Sequence, residues 1–362
     1  MNRRLAALLL VTLCIVQPVQ GRAARYEYRV TYVYENRGAA PLELTDMDVA
    51  VPLFMNSSWQ NVRLAEASVP YFVKEMDADG GLGAVMGVKR TLGPGESTSF
   101  TASYAVESSS RAVPGFDVSE AEPLSSVPKE LADTYCVVTE TFQSNHPLIA
   151  SRAREVAGDA ATVLEALDLL VEYVREETTY TNFEVPMYPN TTLINGLGDC
   201  DDQSILLISM LRSLGVPAYL QVGVYIHPNI EDSETSWEGH LTSTQRGVGW
   251  HGWAMVYVPP WGWVPVDLTL TSSQDGLELL RKAPEYGGNV VAAYDVSRQP
   301  YIGESLATRS RIVGSDLYVA ITDEAQEVQG GGLGFEAWFI AGLGAVVAAV
   351  LVMMFVSGRR AS

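Results

Sequence analysis

Alternating polar and apolar positions mark the first third of the chain. Residues 26–34 read Y-E-Y-R-V-T-Y-V-Y, a run rich in residues that favour β-strands. Similar runs follow at residues 44–51, 60–64 and 97–106. Turn signals occur at residues 36–38 and 92–96. Short strands at regular spacing, without a helical period, predict a β-sandwich domain over residues 22–125. The Ser- and Pro-rich stretch at 107–129 fits a linker.

A helical period replaces the alternation near Pro147. One apolar stripe is made by Leu164, Leu167, Leu170, Val171 and Val174. A second helix should begin at Asp199 or Cys200. Its stretch 205–214 is nearly all apolar, which predicts a buried helix, and Gly215 and Pro217 should end it.

Strand-like runs at 223–226, 254–258 and 263–266 follow that helix. The pattern predicts an α+β domain over residues 126–315. In it, a central helix with Cys200 at its N-terminus packs on an antiparallel sheet that carries His251 and Asp267.

Both ends of the chain carry apolar segments. Arg3 and Arg4 precede a short apolar run, and small residues follow, which predicts a secretory signal peptide over residues 1–21; an uncleaved anchor is the alternative. Residues 336–357 contain a long stretch without charge, followed by two arginines in the tail 358–362. This predicts a single transmembrane helix with a cytoplasmic tail, although a buried soluble helix is also possible. Residues 316–335 then form a Gly-rich tether, and the bulk of the chain lies outside the cytoplasm.

The composition is strongly acidic. The 362 residues include 24 Lys and Arg against 43 Asp and Glu, a net charge of −19. Because nucleic-acid binding needs a basic face, the composition argues against a nucleic-acid partner. It suits solubility and does not identify a substrate.

The three cysteines and four histidines limit the other possibilities. Cys14 lies in the predicted signal peptide. Cys136 and Cys200 could form a disulfide in an oxidising exterior, which would block Cys200 as a nucleophile. No metal-binding spacing such as C-x-x-C or H-E-x-x-H occurs. We therefore predict neither a metal site nor a cofactor.

Three segments carry candidate chemistry. They are Gly196–Asp202 (G-L-G-D-C-D-D), Trp250–Trp253 (W-H-G-W) and Gly262–Asp267 (G-W-V-P-V-D). In chain order they supply Cys200, His251 and Asp267. A thiol attacks well only when a base is near, and that base needs a third group to fix its orientation. The gaps between these residues are long, so only the fold can close them.

The charge around Cys200 leaves its reactivity open. A helix N-terminus stabilises a thiolate. Asp199, Asp201 and Asp202 favour the protonated thiol instead. If Asp201 and Asp202 point away to cap helix amides, this conflict is small.

The same segments resemble the transglutaminase-like superfamily, whose core is related to papain-type cysteine proteases. G-D-C, an apolar helix and R-S-L-G-V-P-A resemble the first part of the family pattern. W-H-G-W-A-M-V-Y-V and G-W-V-P-V-D-L-T resemble the second. Gly252 stands where the family usually has Ala, and Leu268 where it usually has Pro. The strand-rich segment before it resembles the β domain that precedes such cores in prokaryotic surface proteins.

The resemblance implies Cys200 as nucleophile, His251 as base and Asp267 as the orienting carboxylate. It implies a membrane-anchored, extracytoplasmic thiol enzyme that acts on peptide or amide bonds through an acyl-enzyme. Hydrolysis, as in a peptidase or amidase, is slightly favoured over amine transfer, as in a cross-linking transglutaminase. The alternative is a non-catalytic surface module that keeps the fold for binding. The oligomeric state stays open.

Overall fold

A computed structural model of the chain describes residues 23–273 and 275–328. Its strands are β1 (Ala24–Asn36), β2 (Leu42–Glu43), β3 (Ala50–Pro52), β4 (Gln60–Ala67), β5 (Tyr71–Glu75), β6 (Leu82–Met86), β7 (Thr91–Leu92), β8 (Ser97–Ser108), β9 (Thr179–Tyr180), β10 (Leu197–Gly198), β11 (Ala218–Ser236), β12 (Leu241–Val258), β13 (Gly262–Val266), β14 (Val290–Val296) and β15 (Leu317–Glu327). Its α-helices are α1 (Lys129–Tyr135), α2 (Pro147–Ala157), α3 (Val163–Glu177), α4 (Pro189–Asn195), α5 (Cys200–Ser213), α6 (Gly276–Arg281) and α7 (Tyr301–Val313). The architecture is mixed α+β, as predicted.

One eight-stranded sheet runs through the molecule. Its order is β14-β11-β12-β15-β1-β8-β4, and β13 pairs with β12 beside this path. The pairs β11–β12, β11–β14 and β12–β13 are antiparallel, as the sequence predicts, whereas β12 and β15 are parallel. The sheet therefore joins N-terminal strands to strands from the second half of the chain.

The N-terminal region is rich in strands, as predicted. β1, β8 and β4 belong to the large sheet, and β3, β6 and β5 form a second sheet of three strands. Side chains from both sheets share one hydrophobic core, which includes Tyr28 and Phe100 from the first and Val51 and Met86 from the second. Two sheets that share a core give the layered arrangement of a sandwich.

The large sheet, however, is continuous across the predicted domain boundary at residue 125. Described residues 23–326 form one compact unit, and the N-terminal core also contains Val224 and Val248 from β11 and β12. The reason is β15, which lies in the sheet between β12 and β1. Because backbone hydrogen bonds continue from one region into the other, no linker divides the two regions mechanically.

The first part of the segment predicted as a Gly-rich tether, residues 316–335, is a strand. Residues 317–327 form β15, which pairs in register with β12 from Leu241↔Val319 to Arg246↔Glu324. Leu317, Val319 and Asp323 are buried. The alternation of Leu-Tyr-Val-Ala-Ile is a strand signal that the nearby glycines obscured.

The central helix of the second region agrees with the sequence. α5 begins at Cys200, its residues from Asp202 to Arg212 are all buried, and Gly215 lies just beyond its end at a φ of +82°. It packs against α3, whose predicted apolar stripe is buried, and against the face of β12 that carries Ala254 and Val256. Fully burying one aliphatic side chain contributes roughly 1.5–3 kcal/mol, so this helix is firmly held.

The predicted signal peptide (1–21), transmembrane helix (336–357) and tail (358–362) lie outside the described residues. Within residues 23–273 and 275–328, no helix is long and apolar enough to cross a membrane.

Candidate active site

The N-terminus of α5 presents Cys200 at the first helical position. Asp199 is the N-cap: its side chain accepts a hydrogen bond from the amide of Asp202, and the Asp202 side chain accepts one from the amide of Asp199. This reciprocal capping box satisfies two amides that the helix itself leaves without partners. Cys200 is half-buried as a residue.

His251 and Asp267 form a direct hydrogen bond. Nε2 of His251, on β12, lies 2.7 Å from Oδ2 of Asp267, which follows the last residue of β13. His251 is 6% exposed and Asp267 is fully buried. The other carboxylate oxygen of Asp267 accepts from the amides of Thr269 and Leu270, each at 2.9 Å.

The electrostatics of Asp267 favour its charged form. Burial alone would raise its pKa, but the charge and hydrogen bond of His251 and the two amides outweigh burial and hold the pKa at about 2. Asp267 is thus an ionised carboxylate at neutral pH. It is positioned to fix the tautomer and orientation of the His251 ring.

A gap in strand pairing brings Cys200 to the same part of the sheet. On the side of β12 away from β11, β15 pairs only along Leu241–Arg246 and β13 only along Ala254–Val258. His251 and Gly252 lie between these segments. The backbone N–H of Gly252 is within hydrogen-bonding reach of the Cys200 thiol.

Gly252 permits this close approach. A Cβ atom at Gly252 would lie 3.1 Å from Cβ of Asp201, tighter than ordinary van der Waals contact. Gly252 stands where the transglutaminase-like pattern usually has Ala. The missing side chain fits the short distance between β12 and the first turn of α5.

The three candidate residues are not linked by one continuous chain of hydrogen bonds. Within the described part of the chain, Nδ1 of His251 makes no hydrogen bond, and the ring is held through Nε2. The thiol of Cys200 lies near the backbone amide of Gly252, the residue after His251. Nδ1 is therefore the ring nitrogen left to accept a thiol proton.

The surroundings of Cys200 keep its thiol protonated. Burial, followed by the charges of Asp201 and Asp199, raises its pKa well above the ordinary value, and the Gly252 amide only partly opposes this. Burial and the two negative charges together therefore favour the protonated form of the Cys200 thiol.

The acidic neighbours differ in orientation. Asp202 points to backbone amides, because its second oxygen also accepts from the amide of Met187 at 2.6 Å. Asp201 instead accepts a hydrogen bond from the Tyr301 hydroxyl at 3.0 Å and stays close to the thiol. Burial and the Asp199 side chain raise the pKa of Asp201 well above its ordinary value. The condition that both side chains point away to cap helix amides is thus met only by Asp202.

Cys136 does not pair with Cys200. Both cysteines are free thiols, so the disulfide alternative is not realised in this structure. Burial raises the pKa of Cys136 to about 11, which makes it a poor nucleophile at neutral pH.

An apolar groove adjoins the N-terminus of α5. The segment 181–188 is attached to that helix end by hydrogen bonds from the amides of Phe183 to Asp199 and of Met187 to Asp202. Against this segment lies Leu306 of α7, and the groove between them has a volume of about 440 Å³. Two of its lining residues, Arg309 and Glu184, form an ion pair at 2.9 Å.

Two polar side chains at the site have no sequence motif that reveals them. Tyr301 reaches Asp201 from α7, and Glu285 lies buried near His251 and Asp267. Both come from the region after residue 270, where the sequence resembles no pattern used above. Only the fold brings them to the site.

Two groups of side chains have donor atoms close enough to share a cation. They are Asp199, Cys200 and Asp201, and His251, Asp267 and Glu285; within each group the atoms lie within 4.8 Å of one another. Asp199 is engaged in capping, and His251 and Asp267 already satisfy one another. We assign neither group to a metal.

Comparisons with known proteins agree on the type of domain. Residues 150–268 match the family model described as the transglutaminase-like superfamily. A structure of a provisionally assigned cysteine protease from Cytophaga hutchinsonii superposes with a TM-score of 0.52 at 13% identity, and the match covers 87% of this chain and 94% of that chain. At this identity the likeness shows the fold alone. The comparison with curated proteins finds no match.

Two further structures superpose less well. The periplasmic domain of TgpA from Pseudomonas aeruginosa, bound to ethylmercury, has a TM-score of 0.35 at 18% identity and covers 73% of this chain and 77% of that chain. The transglutaminase of red sea bream has a TM-score of 0.31 at 9% identity, and the match covers 82% of this chain and 63% of that chain.

Proposed function

Because residues 150–268 form a transglutaminase-like domain, we propose that this protein is a thiol enzyme acting on peptide or amide bonds. Cys200 is the nucleophile, His251 the base and Asp267 the orienting carboxylate. The observation that carries the proposal is the buried His251–Asp267 hydrogen bond of 2.7 Å beside the strand position that contacts the Cys200 thiol.

The raised pKa of Cys200 determines how the first step proceeds. A thiol that is protonated at rest must lose its proton as it attacks, so His251 acts as a general base through Nδ1. Sγ of Cys200 bonds to the carbonyl carbon, and the thiol proton moves to His251. Asp267 stabilises the imidazolium that forms, without taking a proton itself.

The second half of the reaction releases the acyl group. The imidazolium of His251 gives its proton to the leaving amine as the C–N bond breaks, which leaves a thioester on Cys200. Water then yields a carboxylic acid, or a primary amine yields a new amide. We favour hydrolysis as the main outcome, with amine transfer as the alternative.

The groove between the segment 181–188 and α7 is our candidate surface for the peptide substrate. The segment that forms one wall is hydrogen-bonded to the helix end that carries Cys200, and the apolar lining includes Phe183, Met187 and Leu306. An extended peptide with apolar side chains near the scissile bond suits such a surface.

The experiment that tests the proposal offers the full-length protein a library of peptide amides, with and without an added primary amine. Mass spectrometry of the products distinguishes a free acid from a new amide. We expect products that require Cys200 and that depend on amide sequence. Absence of any acid or amide product, with the fold intact, would contradict the proposal.

A non-catalytic binding module is the competing function, and one observation favours it. The raised pKa of Cys200 and its acidic neighbours make the resting thiol unreactive. In that case Cys200→Ser would leave binding of peptide to the groove unchanged, and no covalent adduct would form on the wild-type chain.

We also propose that the protein is exported and held in the membrane by residues 336–357, with the domains outside the cytoplasm. The proposal rests on the apolar runs near the two ends and the arginines beside them. Protease added to intact cells should then degrade the domains. Full protection of the chain from that protease would contradict the proposed orientation.

A further inference from the structure

A buried glutamate lies behind the His251–Asp267 pair and has no role in the scheme above. Glu285, in the turn between α6 and β14, is 3% exposed. Within the described part of the chain, neither of its carboxylate oxygens accepts a hydrogen bond from an N–H or O–H group. One of these oxygens lies within 4.8 Å of donor atoms of both His251 and Asp267. A buried, unpartnered carboxyl is costly, so its retention at this position requires a reason.

Two carboxyl groups this close cannot both be ionised in a buried site. Asp267 has three partners that favour its charge, namely His251 and the amides of Thr269 and Leu270. Glu285 has none of these. The proton therefore resides on Glu285, whose pKa is raised well above the ordinary value by burial and then by the charge of Asp267.

The remaining charged and titratable groups do not change this assignment. Arg111 approaches Glu285 from the segment between β8 and α1, but its Nε donates to the backbone carbonyl of Glu285. Its guanidinium lies over the rings of Trp59 and Tyr286. Arg175 of α3 faces Asp267 and donates to the carbonyl of Thr271.

We propose that Glu285 is a positioning residue: a neutral carboxylic acid that donates a hydrogen bond to Asp267 and holds its carboxylate toward His251. The inference rests on the proposed function and extends it. The group that orients His251 is then a pair of carboxyl groups, Asp267 and Glu285, that share one proton. With its proton donated to Asp267, Glu285 also draws off part of the negative charge that His251 senses.

The test uses acylation of Cys200 in the full-length protein by para-nitrophenyl acetate, followed through released nitrophenolate between pH 5 and pH 9. In this step the S–C bond forms, the C–O bond to nitrophenolate breaks, and the thiol proton passes to His251. Glu285→Gln keeps the size and supplies an N–H donor. Glu285→Met keeps the approximate size and removes the donor.

We expect Glu285→Gln to acylate within about two-fold of wild type, with the same pH profile, because an amide can replace a neutral acid as donor. We expect Glu285→Met to be about ten-fold slower, the size of one buried hydrogen bond. The acid side of the pH–rate profile of Glu285→Met should move to higher pH, because more of the Asp267 charge then stabilises the imidazolium of His251. The Tm of Glu285→Met should equal or exceed that of wild type, since an apolar side chain is easier to bury.

Each opposite result is decisive. Acylation of Glu285→Met at the wild-type rate would mean that Glu285 only fills space in the core. An equal loss in Glu285→Gln and Glu285→Met, or a shifted profile in Glu285→Gln, would show that Glu285 acts as a charge, and would overturn the inference even if Glu285→Met folds poorly.

His251→Ala separates this inference from the proposed function. If His251→Ala acylates at the wild-type rate, the proposed function falls, and the inference with it. If His251→Ala is slow while Glu285→Met is not, only the inference about Glu285 falls.

Discussion

The two halves of the candidate site are built in opposite ways. On the sheet, the polar atoms that join His251 to Asp267 are buried and hydrogen-bonded, and Asp267 keeps its charge with a pKa of about 2. At the helix end, Cys200 is partly exposed among carboxyl groups and keeps its proton. Under the proposed function, the base His251 is therefore arranged before substrate arrives, whereas the nucleophile Cys200 becomes charged only during attack. A helix N-terminus alone does not make a reactive thiol when its own first turn is acidic.

Removing the nucleophile should have the largest effect and would break the comparison outright. Cys200→Ala should abolish acyl-enzyme formation, because no other described thiol lies at the site. Alanine is a good helix former, so the Tm should change little. The measurement is intact mass after incubation with a peptide amide or activated ester. Unchanged turnover would exclude thiol catalysis, and a collapsed fold would make Cys200 a structural residue.

Neutralising the orienting carboxylate should have the next largest effect. Asp267→Asn should slow acylation on the order of 100-fold or more, because an amide does not stabilise the imidazolium and favours the wrong tautomer. The loss should still be smaller than that of Cys200→Ala. Single-turnover acylation rates measure it, with the exposed Asp232→Asn as the matched control. Equal rates in Asp267→Asn and wild type would show that His251 works without its partner.

The same aspartate should shape the stability of the protein in acid. Its pKa falls from 3.8 to about 2 on folding, so ionised Asp267 contributes about 2 kcal/mol to the free energy of unfolding. A lowered pKa means that this contribution is complete above about pH 4 and is lost as the pH falls toward 2. Urea unfolding at pH 6, 4 and 3 measures the free energy of unfolding of wild type and of Asp267→Asn. The difference between the two free energies should become smaller as the pH falls. A difference independent of pH would contradict the ion-pair account.

Changing one acidic neighbour of the thiol should have the smallest effect, and should sharpen the comparison. Asp201→Asn removes a like charge beside Cys200 and lowers the pKa of the thiol. Alkylation by iodoacetamide at pH 8 should become several-fold faster, since more thiolate is present. The Cys136 peptide in the same digest is an internal reference. A slower or unchanged Cys200 rate would mean that burial alone keeps the thiol protonated.

The sequence predicts the parts of the site that depend on local pattern. The start of α5 follows from the capping residue Asp199 and the apolar run behind it, and the structure confirms it. The predicted run 254–258 is the last part of β12, which starts at Leu241 and carries His251, and the predicted run 263–266 is β13, which leads to Asp267. Local periodicity is the strongest signal a sequence contains, and here it locates both elements.

Long-range pairing was the part that the sequence could not supply. β15 was predicted as part of a tether, because its pairing with β12 involves residues about 78 positions apart. The orientation of Asp201 toward Tyr301 and the position of Glu285 also depend on contacts across 100 and 18 residues, respectively. Propensity and spacing carry no information on such contacts, which tertiary packing decides.

The most direct test of the central claim is a crystal structure of the protein with a peptide aldehyde bonded to Cys200. The aldehyde forms a hemithioacetal on Sγ and so marks the attacking geometry. The account predicts Nδ1 of His251 within about 5 Å of Sγ, while Nε2 keeps its hydrogen bond to Asp267. An adduct on Cys200 with both ring nitrogens clearly beyond that distance, or no adduct on a folded chain, would contradict it.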